Sequence, residues 1–329
     1  MLDAHVKGEN NMKLLCLSTS LNLGERICAY FKQVLCQDLS ISESVLTHFA
    51  DGEVLFESKE PLRGEDVFIL QSTCAPANDT LMELLICIDA CKRADAKSIT
   101  CIIPYYGYAR QDRKGSARQS ISAKLVADML QTAGADRVLC LDLHASQIVG
   151  FFDIPVDNIS ATSLFYNKLK NDKLEDVVCV SPDHGGVVRT TALATKLNVP
   201  IAIIDKRRPE PNKCEIISIV GDVKDKRCII VDDIVDTAGT LCNAANELKK
   251  LGAKSVEAYI THGVLSLDAV NKIEASGLDE LTITDSIPLK RDSTKIKTIS
   301  LAPLLSRIIL ALSHNHPLWE VIRDYENII

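Results

Sequence analysis

Short apolar runs alternate along this chain with longer stretches whose apolar positions recur at helical spacing, the pattern of parallel α/β units. "DVFIL" (Asp66 to Leu70) reads as a buried strand. "NDTLMELLICIDACKR" follows as a helix with Leu81, Leu84, Leu85 and Ile88 on one face and Asn78 as its N-cap. "SITCIIP" is a second buried strand, a long loop runs to Ser120, and "ISAKLVADMLQTAG" is a helix closed by Gly134. "RVLCLDLH" is the next strand. After about residue 160 the order returns: strand "VVCVSP", a helix from Gly186 to Leu197, strands "IAIID" and "RCIIVDD", helix "TLCNAANELKKLG" and strand "SVEAYITH". The expected fold class is α/β with two doubly wound, mainly parallel-sheet domains, residues 1–158 and 159–329, meeting near "FFDIPVDN".

Composition supports two cores: 329 residues with 47% hydrophobic and 25% charged content bury more than one. A net charge of -7 and a pI near 5.6 exclude the overall basic surface that collects nucleic acid or anionic membrane, so phosphate-binding charge has to be local. Cysteines such as Cys140, Cys179 and Cys228 sit inside apolar runs, which suits buried reduced thiols rather than a disulfide framework. Cys87 and Cys91, one helical turn apart, lack a second ligand pair at zinc spacing and read as packing. The opening residues carry no apolar signal core and no run reaches membrane-spanning length, so a cytoplasmic protein without a membrane partner is expected.

Ligands of such sheets bind beyond the carboxyl ends of strands. "CIIVDDIVDTAGT" ends a strand in Asp232 and Asp233 and enters a helix through Asp236, Thr237, Ala238, Gly239 and Thr240. The small residues can turn backbone N–H groups and two hydroxyls toward one phosphate, helped by the helix dipole. The two carboxylates can accept from vicinal ribose hydroxyls. This segment resembles the phosphoribosyl-diphosphate fingerprint common to phosphoribosyltransferases and ribose-phosphate pyrophosphokinases, and alone does not choose between them.

The loop "YYGYARQDRKGSARQS" carries Arg110, Arg113, Lys114 and Arg118, a mobile cationic clamp suited to a triphosphate. His144 at a strand end can ligate a divalent cation or meet ATP phosphate. Gly185 and Gly186 after Asp183 let backbone approach an anion. Lys206 and Arg208, with Arg207 between them, are adjacent cations that need phosphate or Asp205 nearby. Together with "FADGE", "DLHASQIVGFFDIPVDN", "SPDHGG" and "IIDKRRP", these stretches resemble the ribose-phosphate pyrophosphokinases, the phosphate-activated bacterial-type class, over nearly the whole chain.

That resemblance implies domains of phosphoribosyltransferase type and transfer of the β,γ-pyrophosphoryl group of Mg2+-ATP to the anomeric hydroxyl of ribose 5-phosphate. By it, Phe49 stacks on adenine, Asp51 and Glu53 contact the base, and Arg110, Gln111 and Asp112 serve the nucleotide with Arg113 and Lys114. His144 and Asp183 correspond to the magnesium site, Asp183, Gly185 and Gly186 to the pyrophosphate loop, and Lys206 and Arg208 to the cations that counter developing charge. A homo-oligomer is implied, a hexamer built from dimers, with phosphate and ADP as effectors near Arg63 and Arg118. Gln119 and Ser120 stand where the family commonly has Pro, which implies a looser clamp, although Ser120 can cap the next helix. His184 takes no role, and His262, His314 and His316 read as structural. The alternatives are a phosphoribosyltransferase, for which the first half has no purpose, and a non-catalytic regulatory homologue, which would lack the intact clamp and cations found here.

Overall fold

The computed structural model describes residues 12–210 and 213–327, excepting the side chains of 206–210 and 213–217. The first half runs β1 (Met12–Cys16), α1 (Leu21–Gln33), β2 (Ser44–His48), β3 (Val54–Ser58), β4 (Asp66–Leu70), α2 (Ala77–Arg93), β5 (Ser98–Ile103), α3 (Ser122–Ala133), β6 (Arg137–Leu141) and β7 (Val156–Ile159). The second runs α4 (Thr162–Leu169), β8 (Val177–Ser181), α5 (Val187–Leu197), β9 (Ile201–Glu210), β10 (Lys213–Val220), β11 (Arg227–Val235), α6 (Gly239–Lys250), β12 (Ser255–Gly263), α7 (Ala269–Ala275), β13 (Glu280–Thr284), β14 (Ile296–Ile299), α8 (Ala302–Ser313) and α9 (Leu318–Glu326).

The first sheet has order β1-β4-β5-β6-β7, all parallel. Its strands are apolar at successive positions because both faces are covered. Leu14, Phe68, Leu70, Ile102 and Leu139 face α1 and the helices beyond it, while Leu15, Val67, Ile69, Cys101 and Val138 face α2 and α3. The second sheet has order β10-β9-β8-β11-β12-β13-β14, with only β10 antiparallel to its neighbour. Strand order reverses between β8 and β11, which opens a crevice at their carboxyl ends.

One apolar layer runs through both halves. Ile27 and Phe31 of α1 share a core with Phe165 of α4, Leu193 of α5, and Leu305 and Ile308 of α8. Ser306 Oγ on α8 donates to the Ile27 carbonyl at 3.4 Å, and Arg307 Nε donates to Tyr30 Oη at 3.0 Å. The α8 helix thus completes the face of the first sheet as well as its own.

Three local expectations need correction. Asn78 is not the N-cap of α2: Pro76 is, and Asn78 lies in the first turn, where its Oδ1 accepts from the Tyr108 hydroxyl. Ser120 does not cap α3 either; the cap position is Ile121, and Ser120 Oγ pairs with Ser122 Oγ at 2.9 Å. Gly186 is the cap of α5 rather than its first residue. Gly134 does close α3, at φ +122°, a conformation that favours glycine. Cys87 and Cys91 are fully buried on the core face of α2, and every cysteine among the described residues is a free thiol.

Candidate active site

The crevice is a cavity of about 800 Å3 lined from three directions. The β8–α5 turn brings Asp183, His184, Gly185, Gly186 and Arg189, and β11 with the turn into α6 brings Asp232 through Leu241. The first half of the chain brings Arg110, Arg113 and His144.

β11 runs on to Val235, so Asp232 and Asp233 lie within the strand instead of closing it. Ala238 takes φ +59° and is the N-cap of α6, with no side chain bonded to the helix's first N–H groups. Those donors stay available to an anion, as the sequence pattern predicts. The same holds at α5, where Gly186 is the uncapped N-cap residue and its own N–H donates to Asp183 Oδ1 at 3.0 Å.

Across the crevice, Arg110 Nη1 donates to Asp236 Oδ2 at 2.6 Å. His144 Nδ1 stands 2.8 Å from Asp233 Oδ2. β6 ends at Leu141, so His144 follows on a turn, three residues past the strand it was expected to end. Two bonds thus join the first half of the chain to the Asp232–Thr240 segment of the second.

The acidic pair has a partner that sequence reasoning missed. Arg189 Nη1 lies 3.1 Å from Asp232 Oδ1 and 3.2 Å from Asp233 Oδ1, its side chain only 18% exposed. The available signal was chemical: adjacent acids at a buried strand end need a cation, and Arg189 sits in the first turn after the glycine pair. Burial and the charge of Asp233 push the Asp232 carboxyl up to about 8. Burial opposes ionisation of Asp233 too, but the His144 hydrogen bond and Arg189 outweigh it and hold that carboxyl well below the usual range. The bond to Asp233 in turn raises His144 above an ordinary imidazole, against the effect of burial.

The clamp loop borders a second cavity of about 610 Å3, lined by Arg110, Gln111, Asp112, Arg113, Gly115, Arg118, Gln119, Ser120 and His144. Lys114 is not among its lining residues. Gln111 accepts from Ser122 Oγ at 2.7 Å, and Asp112 accepts from Gln147 Nε2 at 2.7 Å. Gln119 Oε1 accepts from the N–H groups of Gly115 and Ser116 at 2.9 and 3.0 Å, a tether within the loop that proline could not provide.

Phe49, Asp51 and Glu53 stand on the β2–β3 turn and line neither cavity. The hairpin is seated by His48, whose Nε2 lies 2.9 Å from the buried Glu83. Arg63 pairs with Asp95 at 2.5 Å, away from Arg118 in the clamp cavity. The backbone of Lys206 and Arg208 belongs to β9, with Lys206 paired to Ile216, but their side chains lie outside the described residues. Asp205 faces His184, with Nε2 3.1 Å from Oδ1. His262 is buried between the halves, its Nε2–H donating to the Leu141 carbonyl at 3.1 Å. Among the described residues no group of three or more His, Cys, Asp or Glu side chains could hold a metal ion.

Residues 12–134 match the model of the N-terminal domain of ribose phosphate pyrophosphokinase, and residues 170–323 match that of the phosphoribosyl synthetase-associated domain. A ribose-phosphate pyrophosphokinase of Burkholderia pseudomallei is 56% identical over 272 residues, covering 82% of this chain and 86% of the relative. One from Halalkalibacterium halodurans is 51% identical over 311 residues, 94% of this chain and 96% of the relative. The chain belongs to the ribose-phosphate pyrophosphokinase family. A crystal structure of phosphoribosylpyrophosphate synthetase from Mycobacterium smegmatis superposes with a TM-score of 0.86 at 41% identity, covering 93% of this chain and 99% of that one. A pyrophosphokinase fold with both halves in place is therefore present, and no described helix is long and apolar enough to cross a membrane.

Proposed function

We propose that the protein is a ribose-phosphate pyrophosphokinase that transfers the β,γ-pyrophosphoryl group of ATP to the anomeric hydroxyl of ribose 5-phosphate, releasing AMP. One observation carries this reading above a phosphoribosyltransferase. Arg110, Arg113 and His144 of the first half line the same crevice as the sugar-phosphate segment of the second. A transferase needs only the second.

The 5-phosphate sits on Asp236, Thr237, Ala238, Gly239 and Thr240 at the uncapped start of α6, with Asp232 and Asp233 toward the ribose hydroxyls. The triphosphate lies under the clamp formed by Arg110, Gln111, Asp112, Arg113 and Lys114, with the Asp183, Gly185 and Gly186 turn at the transferred group. The anomeric hydroxyl oxygen attacks the β-phosphorus as the bond to the AMP oxygen breaks, its proton passing to solvent, and Lys206 and Arg208 counter the charge that builds between them.

A divalent cation fits the donors present. His144 commits Nδ1 to Asp233 and keeps its other ring nitrogen, and Asp183 uses only Oδ1 internally. Two protein ligands suit Mg2+, which takes most of its shell from phosphate oxygens and water. It would supply neutralisation of the β- and γ-phosphate charge.

That Phe49, Asp51 and Glu53 line neither cavity supports an adenine site completed by a second subunit, in a homo-oligomer that the resemblance makes a hexamer of dimers. Phosphate and ADP act as effectors near Arg63 and Arg118 in the same reading. The chain divides at 158/159 into a clamp-bearing and a sugar-binding domain. Free, buried thiols support a cytoplasmic setting. The test is 31P NMR of the products from Mg2+-ATP and ribose 5-phosphate: AMP with a diphosphorylated sugar is expected, and ADP would overturn the assignment.

A further inference from the structure

The turn that carries His144 is held from the opposite sheet. Asp142 has φ +33°, a left-handed conformation in which aspartate is tolerated better than most residues. Its Oδ2 accepts from Thr261 Oγ1 at 2.6 Å and from the Ala161 N–H at 3.0 Å. Its own N–H donates to the Ile159 carbonyl at 2.9 Å, and the next N–H, of Leu143, donates to Asn158 Oδ1 at 3.0 Å. Thr261 is fully buried on β12, between Ile260 and His262, which are the register partners of Asp232 and Ile234 on β11. Thr261 therefore runs alongside Asp233. The Asp142–Thr261 and His144–Asp233 bonds are neighbouring rungs, two residues apart on one chain segment and one strand apart on the other.

Resting on the reading of His144 given above, we propose that Asp142 and Thr261 form a strut between the two sheets that sets His144 against Asp233, making both positioning residues for pyrophosphoryl transfer. The carboxylate of Asp142 is spent inside this seam, and Asp142 does not line the substrate crevice. Around it buried polar side chains bond to one another across the seam. His262 Nδ1 lies 2.9 Å from Ser286 Oγ, and Ser72 Oγ donates to the Ser286 carbonyl. Bistable or loose placement of His144 is what such a buried polar joint prevents.

Thr261→Val keeps the shape and removes the hydroxyl, while Thr261→Ser keeps the hydroxyl. Thr261→Val is expected to lower kcat about tenfold, the scale of a sub-ångström misplacement of a reacting group. The KM for ribose 5-phosphate should stay within about twofold, because the Asp236–Thr240 segment is untouched. Thr261→Ser should recover most of kcat. In a His144→Ala background Thr261→Val should have no further effect, the non-additivity of residues acting through one another. Without substrate, 15N NMR of histidine-labelled protein reads the same link: the His144 Nδ1 resonance, assigned by its loss in His144→Ala, should move toward that of a free imidazole in Thr261→Val. An equal fall in kcat in both backgrounds, or wild-type kcat with an unmoved resonance, overturns the strut alone. Undiminished kcat in His144→Ala overturns the reading of His144 and the strut with it. Should Thr261→Val fail to fold, Asp142→Asn carries the same comparison with a weaker acceptor, and an additive loss there is equally fatal.

Discussion

Replacing Arg189 with methionine removes the cation that Asp232 and Asp233 share, leaving Asp233 its contact to His144 and Asp232 the Asp233 N–H. Their side chains are 24% and 6% exposed and Arg189 is 18% exposed, so solvent screens the cluster little. Removing one partner of such a cluster costs about 3–5 kcal/mol; because Asp233 keeps His144, we expect about 3 kcal/mol at pH 7. The pH dependence follows from Asp232. Its folded value of about 8 lies above its unfolded one. The native state therefore binds more protons than the unfolded state across that window, and this group erodes stability as pH rises through it. Arg189 works against the upward shift, so its loss raises Asp232 further. Wild type and variant then lose stability in parallel up to about pH 8. Beyond that the Asp232 contribution ends in the wild type but continues in the variant, so the gap between the two widens by up to about 1.36 kcal/mol per pH unit, while buried thiols such as Cys101 and Cys140 lower both alike. Urea unfolding followed by circular dichroism at pH 7 and pH 9, without substrates, measures both quantities. A penalty below about 1 kcal/mol at pH 7, or one that shrinks at pH 9, would refute the assignment of Arg189 as counter-ion to the pair.

Thr237→Ala and Thr240→Ala should weaken ribose 5-phosphate binding in calorimetric titration by about tenfold each, the worth of a hydroxyl hydrogen bond to a charged phosphate, with nucleotide affinity nearly unchanged. Unchanged sugar affinity in both removes the α6 entrance from the site. Lys206→Ala should lower kcat about a hundredfold to a thousandfold with little change in either KM, and Lys206→Arg should recover only part. Near-wild-type kcat in steady-state kinetics takes Lys206 out of the reaction.

Much of this was written in local pattern. The strand Asp66–Leu70 and the segment from Asp232 to Thr240 stand where periodicity and small polar residues put them. What local pattern could not supply was decided by tertiary contact. Asn78 and Ser120 have capping chemistry, yet Tyr108 and Ser122 claim their side chains. Arg189 looks like an ordinary helix-face cation until β11 is set beside it. The β2–β3 hairpin hides in a stretch of mixed polarity because few of its side chains, among them Leu46, His48 and Phe56, reach inward to buried partners. His144 ends no strand because Asp142 turns the chain early to meet Thr261, a residue 119 positions away.

The helix α8 gives the molecule an order of completion. Ile27 and Phe31 are fully buried, and part of their cover is Leu305 and Ile308. During synthesis the first sheet emerges with that greasy flank open, and it stays open while the whole second sheet is made. The packing on α1 is therefore completed only once α8 has been made. A premature stop just ahead of Ala302 would leave the later sheet largely written and damage the earlier one.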